Sequence, residues 1–216
     1  MSLVELITQA DERALAAGGL ACLDRCLPLL DGDDDMLRPL WASLADGSDW
    51  AGHLEKARAA LTPAANGEED EATRLARQML DTAPAERTAA AVRPWADTCS
   101  VASLRIHRLL DPAANATGER TATGADGTDG AGGADGADGA DGTPAGDLLA
   151  AGRAGDPVEL PPLVAAELRR QITVLELLSG HGAHGLRRAL DVSVEGRRVL
   201  RAVVSRRARV GGAPGA

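Results

Sequence analysis

The chain has 216 residues, of which 44% are hydrophobic and 25% are charged, and its formal net charge is −9 at pH 7. This length and composition support one or two domains with a hydrophobic core, which excludes a wholly disordered protein. Three Trp with no Phe and no Tyr exclude an aromatic platform for single-stranded nucleic acid and argue against a sheet, because sheets use aromatic cross-strand pairs.

Residues 1–112 have the periodicity of an acidic helical domain and contain 19 acidic and 11 basic residues. Ser2 and Glu5 have the spacing of a capping box at the start of a helix, which we expect to end at Gly18-Gly19. Pro28 is expected to bend or end the next helix, because proline removes a backbone hydrogen bond. Together these signals predict the first helices of an N-terminal bundle.

Three further helical patterns complete the predicted bundle. An apolar face recurs from Trp50 to Leu61, and another helix is expected near residues 68–80. The longest pattern alternates steps of three and four residues, and Pro94 is predicted to kink or divide it. Its seam consists of Val92, Trp95, Cys99, Ala102, Ile106 and Leu109.

Residues 113–157 differ in kind from the helical segments. Glycine recurs at every third position from Gly124 to Gly142, and acidic residues outnumber basic ones by eight to two. The segment lacks the prolines of a collagen-like helix and the aliphatic position of a calcium-binding repeat. We predict a disordered Gly/Ala/Asp-rich linker, because this composition cannot bury enough apolar surface to offset the entropy of ordering.

Residues 158–216 are predicted to form a small basic helical module, with ten basic and five acidic residues. Pro161-Pro162 favour the start of a helix that ends at Gly180. Two interpretations of the following segment stay open. Residues 195–210 have a helical apolar side, yet apolar and polar residues alternate from Leu190 to Glu195, which is typical of a short β-hairpin within residues 190–204.

The basic module carries the candidate binding residues. If residues 195–210 are helical, five arginines share one face, where an anionic partner would relieve their mutual repulsion. We therefore predict a non-catalytic protein that mediates protein–protein interaction, whose partner is another protein or the acidic 1–112 region of the same chain. The five arginines are Arg197, Arg198, Arg201, Arg206 and Arg209.

The alternative function is that of a DNA-associated regulator. Residues 189–193 and the arginines that follow them resemble the middle of a helix-turn-helix motif, in which a second helix crosses the major groove. Asp191 occupies the turn position, and aspartate tolerates the left-handed conformation that such a turn needs. In that interpretation the arginines would contact phosphates and guanine edges.

An enzymatic function is the third possibility. Gly180, Gly182 and Gly185 have the GxGxxG spacing and resemble the first motif of nucleotide-dependent methyltransferases and dinucleotide folds, in which residues 171–179 would form a strand. Only 31 residues follow Gly185, too few to complete the sheet of such a fold. The sequence has no GxSxG nucleophile elbow. We therefore predict no catalytic residue and no cofactor.

The cysteines bear on metal binding and on location. Cys22, Cys26, His181 and His184 can be drawn as a zinc site, although small thiols in an Ala/Leu core are commoner than ligands. An odd number of cysteines does not suggest a disulfide framework.

The sequence has no signal-peptide pattern at residues 1–13 and no apolar run near the roughly 18 residues that cross a bilayer. We expect a cytoplasmic protein with no membrane partner.

Overall fold

The computed structural model describes residues 1–61, 69–113 and 144–211, and it describes residues 144, 181–183, 210 and 211 by their backbone alone. These residues form helices without any strand, which confirms the predicted mostly α class. A 3-10 turn occupies Leu27–Leu30. The helices are α1 (Leu3–Gln9), α2 (Glu12–Cys26), α3 (Arg38–Asp46), α4 (Trp50–Ala60), α5 (Glu71–Asp81), α6 (Ala89–Leu110), α7 (Pro144–Ala154) and α8 (Pro162–Gly211).

The capping box at the N-terminus is confirmed. The Ser2 hydroxyl accepts from the Glu5 backbone N–H at 3.2 Å, and the Ser2 backbone N–H donates to the Glu5 carboxylate at 2.7 Å. The prediction that this helix ends at Gly18-Gly19 is wrong. It ends at Gln9 with Ala10 as its C-cap, because Asp11 caps the start of α2 by accepting from the Ala14 backbone N–H at 2.8 Å.

Proline has different effects at its two predicted break points. Pro28 ends α2 as predicted, since the helix stops at Cys26 and tightens into the 3-10 turn. Pro94 does not divide the long pattern, because α6 runs from Ala89 to Leu110 as one helix. Its predicted seam packs in the core, with all of its residues buried except the partly buried Leu109, and this tertiary packing outweighs the local cost of the proline.

The predicted linker is too long at its C-terminal end. Residues 144–154 form α7, whose Leu149 is buried in a small cluster with Leu104 of α6 and Val164 of α8. The burial of Leu149 stabilises this helix, whereas the composition of the segment predicted too little apolar burial for an ordered structure. Residues 114–143 of the predicted linker lie outside the described residues.

Helix α8 folds back on itself. A straight α-helix would separate Arg170 from Gly196 by about 39 Å, yet a Cβ on Gly196 would lie 3.1 Å from Arg170 Cδ. A Cβ on Gly185 would lie 2.2 Å from the Leu177 carbonyl oxygen, so the chain reverses between these two residues. We call residues 162–177 the first limb of α8 and residues 185–211 its second limb.

The hairpin of α8 decides between the two open interpretations of the C-terminal segment and bears on the predicted helix end at Gly180. The second limb is helical, so the alternative of a β-hairpin within residues 190–204 is wrong. Helical backbone also continues past Gly180, where we expected the helix to end, although the chain direction reverses nearby.

One hydrophobic cluster draws on both ends of the chain. Helix α2 packs against α6 and both limbs of α8, while α5 packs on α6 and α1 on α8. The cluster contains residues of α1 to α6 together with five fully or nearly buried residues of α8. These are Val174, Leu175, Leu186, Ala189 and Leu200. The division of the chain at residues 112 and 158 into separate units stays a prediction.

Candidate binding groove and buried ion network

Two of the five predicted binding arginines are engaged with acidic residues of the N-terminal region. Arg197 is buried, and its Nη1 donates to Asp24 Oδ1 at 2.6 Å. Trp41 Nε1 donates to the other carboxylate oxygen of Asp24 at 3.2 Å. Arg201 lies 2.8 Å from Asp34 Oδ1. The five arginines therefore do not form one exposed face, because Arg197 is inside the protein.

The other three predicted arginines are exposed. Arg198 makes a loose pair with Glu195 at 3.8 Å, and both side chains are about two-thirds exposed or more. Arg206 and Arg209 are exposed near the end of the second limb of α8. An exposed pair such as the one at Arg198 contributes little to stability.

Arg206 lines an open groove where α6 ends and the two limbs of α8 meet. The groove has a volume of about 610 Å³. Its walls combine apolar side chains with two arginines, and its lining residues are Leu110, Asp111, Pro112, Ala113, Pro162, Leu163, Val203, Arg206 and Arg207. We call it the basic groove.

Asp111 lines the basic groove, but its carboxylate is buried and does not place an exposed negative charge there. This side chain is buried, and one carboxylate oxygen accepts from the Leu163 backbone N–H at 2.7 Å, at the first turn of α8. The other oxygen accepts from the Ala113 backbone N–H at 2.8 Å. Arg207 Nη1 donates to the Leu109 carbonyl at 2.9 Å, which ties the second limb to the end of α6. The exposed charges that line the groove are those of Arg206 and Arg207.

The protein interior contains a second polar cluster, centred on Glu167 of the first limb. Arg25 of α2 donates to this carboxylate through Nε at 2.8 Å and through Nη2 at 2.6 Å. Ser103 Oγ donates to it at 2.8 Å and Gln171 Nε2 at 2.9 Å. His107 Nε2 lies 3.6 Å from Glu167 Oε2. We call these residues the buried ion network.

Electrostatics in the buried ion network favour a charged pair and a neutral histidine. Burial raises the pKa of Glu167, but the Arg25 charge and the hydrogen bonds outweigh burial and lower it to about 2. Burial lowers the pKa of His107. Its Nδ1 lies 2.7 Å from the Ser103 carbonyl, which can only accept, so the proton of the neutral ring is on Nδ1.

The two thiols in α2, Cys22 and Cys26, belong to the same region. Of the two histidines drawn with them as a zinc site, the side chain of His181 lies outside the described residues. Cys22 Sγ accepts from Arg25 Nη2 at 3.4 Å, and Cys26 Sγ donates to Ser103 Oγ at 3.8 Å. Burial raises the pKa of the Cys22 thiol to about 12, which disfavours the thiolate that a metal requires. In the part of the chain that the structure describes, no group of three or more His, Cys, Asp or Glu side chains is placed to hold a metal ion.

The structure does not form the backbone that two other sequence motifs require. The GxGxxG segment from Gly180 to Gly185 lies in helical backbone at the reversal of α8, whereas a nucleotide loop follows a strand. Residues 189–201 are also helical, so the turn that a helix-turn-helix needs at Asp191 does not form. Ala189 and Ser193 are buried on the core side of this helix.

The two candidate sites differ in what they can do chemically. Arg25 and Glu167 have no exposed side-chain surface, so no substrate reaches the ion network in this structure. The basic groove is open, but none of its lining residues is a His, Cys or Ser that could act as base or nucleophile. Its apolar walls and cations are suited to binding.

Comparison with known proteins finds no matching family model, no similar curated protein and no similar solved structure. Among the described helices, none is both long and apolar enough to cross a membrane.

Sequence reasoning missed the apolar walls and one cation of the groove. Arg207 directly follows Arg206 in the sequence, but on a helix it does not lie on the face that the five predicted arginines share. Leu110, Leu163 and Val203 come from three distant segments, and nothing local to each of them indicates that they meet.

Proposed function

We propose that this protein is a non-catalytic interaction module that binds an acidic segment of a protein partner in the basic groove. The observation that carries the proposal is the combination of apolar walls with Arg206 and Arg207 in one open groove. Apolar side chains of the partner would occupy the space beside Leu163 and Val203. Its carboxylates would pair with the two guanidinium groups.

Charge complementarity favours an acidic peptide over other occupants. The two charged side chains exposed in the groove, Arg206 and Arg207, are both basic. The one acidic lining residue, Asp111, directs its carboxylate to backbone N–H groups instead. Arginine is suited to this role, since its planar fork can bind a carboxylate with two hydrogen bonds. A DNA duplex would use the arginines but leave the apolar walls without a partner, so DNA binding is an alternative outcome of the test below.

A cytoplasmic location is part of the proposal. Cys22, Cys26 and Cys99 are all buried as free thiols. Free thiols persist in the reducing environment of the cytoplasm, whereas oxidising compartments favour disulfides.

Binding is tested by fluorescence anisotropy on the full chain with a labelled peptide of about 14 residues in which Glu and Leu alternate by helical turns. Arg206→Glu is expected to weaken binding at least tenfold, equivalent to about 1.4 kcal/mol. Val203→Asp should weaken it similarly by placing a carboxylate on the apolar wall. Arg198→Glu is the matched control, because Arg198 is an exposed arginine on the same limb that does not line the groove.

Three further measurements decide the outcome. A peptide with Lys in place of Glu and one with Ser in place of Leu should both bind more weakly than the acidic, apolar peptide. Equal binding of the Ser peptide would contradict the apolar part of the proposal. Tight binding of a DNA duplex with a steep salt dependence, lost in Arg206→Glu but retained in the uncharged wall variant Val203→Ser, would favour the DNA alternative.

A further inference from the structure

A small cavity adjoins the buried ion network between α1, α2, α6 and the first limb of α8. Its volume is about 20 Å³. Most of its walls are apolar and include Leu3 and Leu175, but Cys22, Arg25, Ser100 and Gln171 also line it. All four of these polar residues are more than nine-tenths buried.

Not every donor of Arg25 has an acceptor among the described residues. A guanidinium carries five N–H groups. Nε donates to Glu167, and Nη2 donates to Glu167 and to Cys22 Sγ. Nη1 is buried and has no hydrogen-bond partner among the described residues. A buried charged donor without an acceptor is unfavourable, so an acceptor is expected at this atom.

The cavity offers space for such an acceptor and limits its size. A water molecule needs at least about 10–15 Å³ of such volume and two to four polar partners. The volume of about 20 Å³ is close to this requirement for one water molecule. Charge favours a neutral ligand as well, since Glu167 already neutralises Arg25 through hydrogen bonds of 2.6 and 2.8 Å.

We propose that this cavity is a binding site for a single structural water, which accepts from Arg25 Nη1. The Ser100 hydroxyl donates to Gln171 Oε1 at 2.7 Å, and both oxygens retain lone pairs that can accept from the water. The water then joins Arg25 of α2 to Ser100 of α6 and Gln171 of α8. It extends the buried ion network across the centre of the bundle.

A crystal structure of the full chain at about 1.5 Å resolution or better tests the site directly. The expected result is one ordered water within hydrogen-bond distance, about 2.7–3.2 Å, of Arg25 Nη1. A dry cavity, or a water that contacts only other atoms, would overturn the proposal.

A pair of glycine variants provides a second test in solution. Gly18 lines the cavity, and a Cβ there would lie 3.2 Å from Leu175 Cδ2, so Gly18→Ala takes up part of the space. Gly180→Ala is the control, because a Cβ at Gly180 has nothing within 4 Å. Both changes improve helix propensity. If the methyl group displaces a water, the melting temperature of Gly18→Ala should fall below that of Gly180→Ala by roughly 2–4 °C. An equal or higher melting temperature for Gly18→Ala indicates a filled dry cavity and contradicts the proposal.

Discussion

At the scale of single residues, two neighbours on α2 hold the two limbs of α8. Asp24 pairs with Arg197 of the second limb, while Arg25 pairs with Glu167 of the first. Successive residues on a helix point about 100° apart, so the two side chains face different neighbours. Exchanging the limbs would place Arg197 against Arg25 and Glu167 against Asp24. Because that arrangement buries like charges, the two pairs favour the observed placement of the limbs.

Removing one partner of the Arg25–Glu167 pair should lower the free energy of unfolding strongly, whereas replacing both partners with apolar residues should lower it much less. Glu167→Gln leaves the Arg25 charge buried without a counter-charge, and we expect a loss of about 3–5 kcal/mol in the free energy of unfolding. The double change Arg25→Met with Glu167→Met removes both charges at similar volume and should recover most of that loss. Urea denaturation followed by circular dichroism measures both.

The control for that series is an exposed ion pair. Arg38 and Asp35 lie 2.7 Å apart with side chains 73% and 71% exposed. Arg38→Ala should therefore change the free energy of unfolding by less than about 0.5 kcal/mol. A double Met variant as unstable as Glu167→Gln would show that the network is needed for more than charge compensation.

At the scale of elements, α8 is organised by tertiary contacts more than by its local sequence. Its residues are helical on both sides of the reversal between Leu177 and Gly185, and its two limbs lie side by side. Gly196 makes this approach possible, because a Cβ there would lie 2.4 Å from Arg25 Cδ. The absence of a side chain lets Arg25 pass between the limbs and reach Glu167.

The hairpin of α8 predicts a short distance between spin labels. Arg169 and Arg198 are exposed, one on each limb. A straight helix would separate them by about 44 Å, whereas two packed limbs bring labelled positions within roughly 25 Å. Double electron–electron resonance on Arg169→Cys with Arg198→Cys distinguishes the two. The native cysteines should not interfere, because all three are buried. A distance near the longer value would show that α8 is straight.

At the scale of the whole molecule, the two helical parts of the chain share one core. Leu175 of the first limb and Leu186 and Leu200 of the second belong to the same hydrophobic cluster as α2 and α6. Apolar burial does not weaken with salt as exposed ion pairing does. We therefore expect residues 144–211 to stay attached to the N-terminal helices without a covalent connection.

Cutting the chain between the two parts tests this shared core. A protease site introduced at residues 130–133 interrupts only the Gly/Ala/Asp repeat. After cleavage, the two fragments should elute together in size-exclusion chromatography, even at 1 M salt, where the Debye length is about 3 Å. They should separate only in denaturant. Separate elution of two folded fragments would support the predicted division into autonomous units instead.

The sequence by itself determined the helical class, the capping box at Ser2 and the break at Pro28. These features act within one or two helical turns, so the responsible residues are close together in the sequence. The sequence also shows that basic residues outnumber acidic ones only in residues 158–216. It could not show that Arg197 is buried while Arg206 is exposed, because both lie in one helical pattern.

Only the tertiary structure decided the reversal of α8, the partners of the buried charges and the composition of the basic groove. Arg25 and Glu167 are 142 residues apart, and Asp24 and Arg197 are 173 apart. Contacts of that range depend on how whole helices pack, which no local propensity encodes. Packing also overrode local signals at Gly18-Gly19 and Pro94, since burying an apolar face is worth more than the roughly 1–3 kcal/mol that one helix-breaking residue costs.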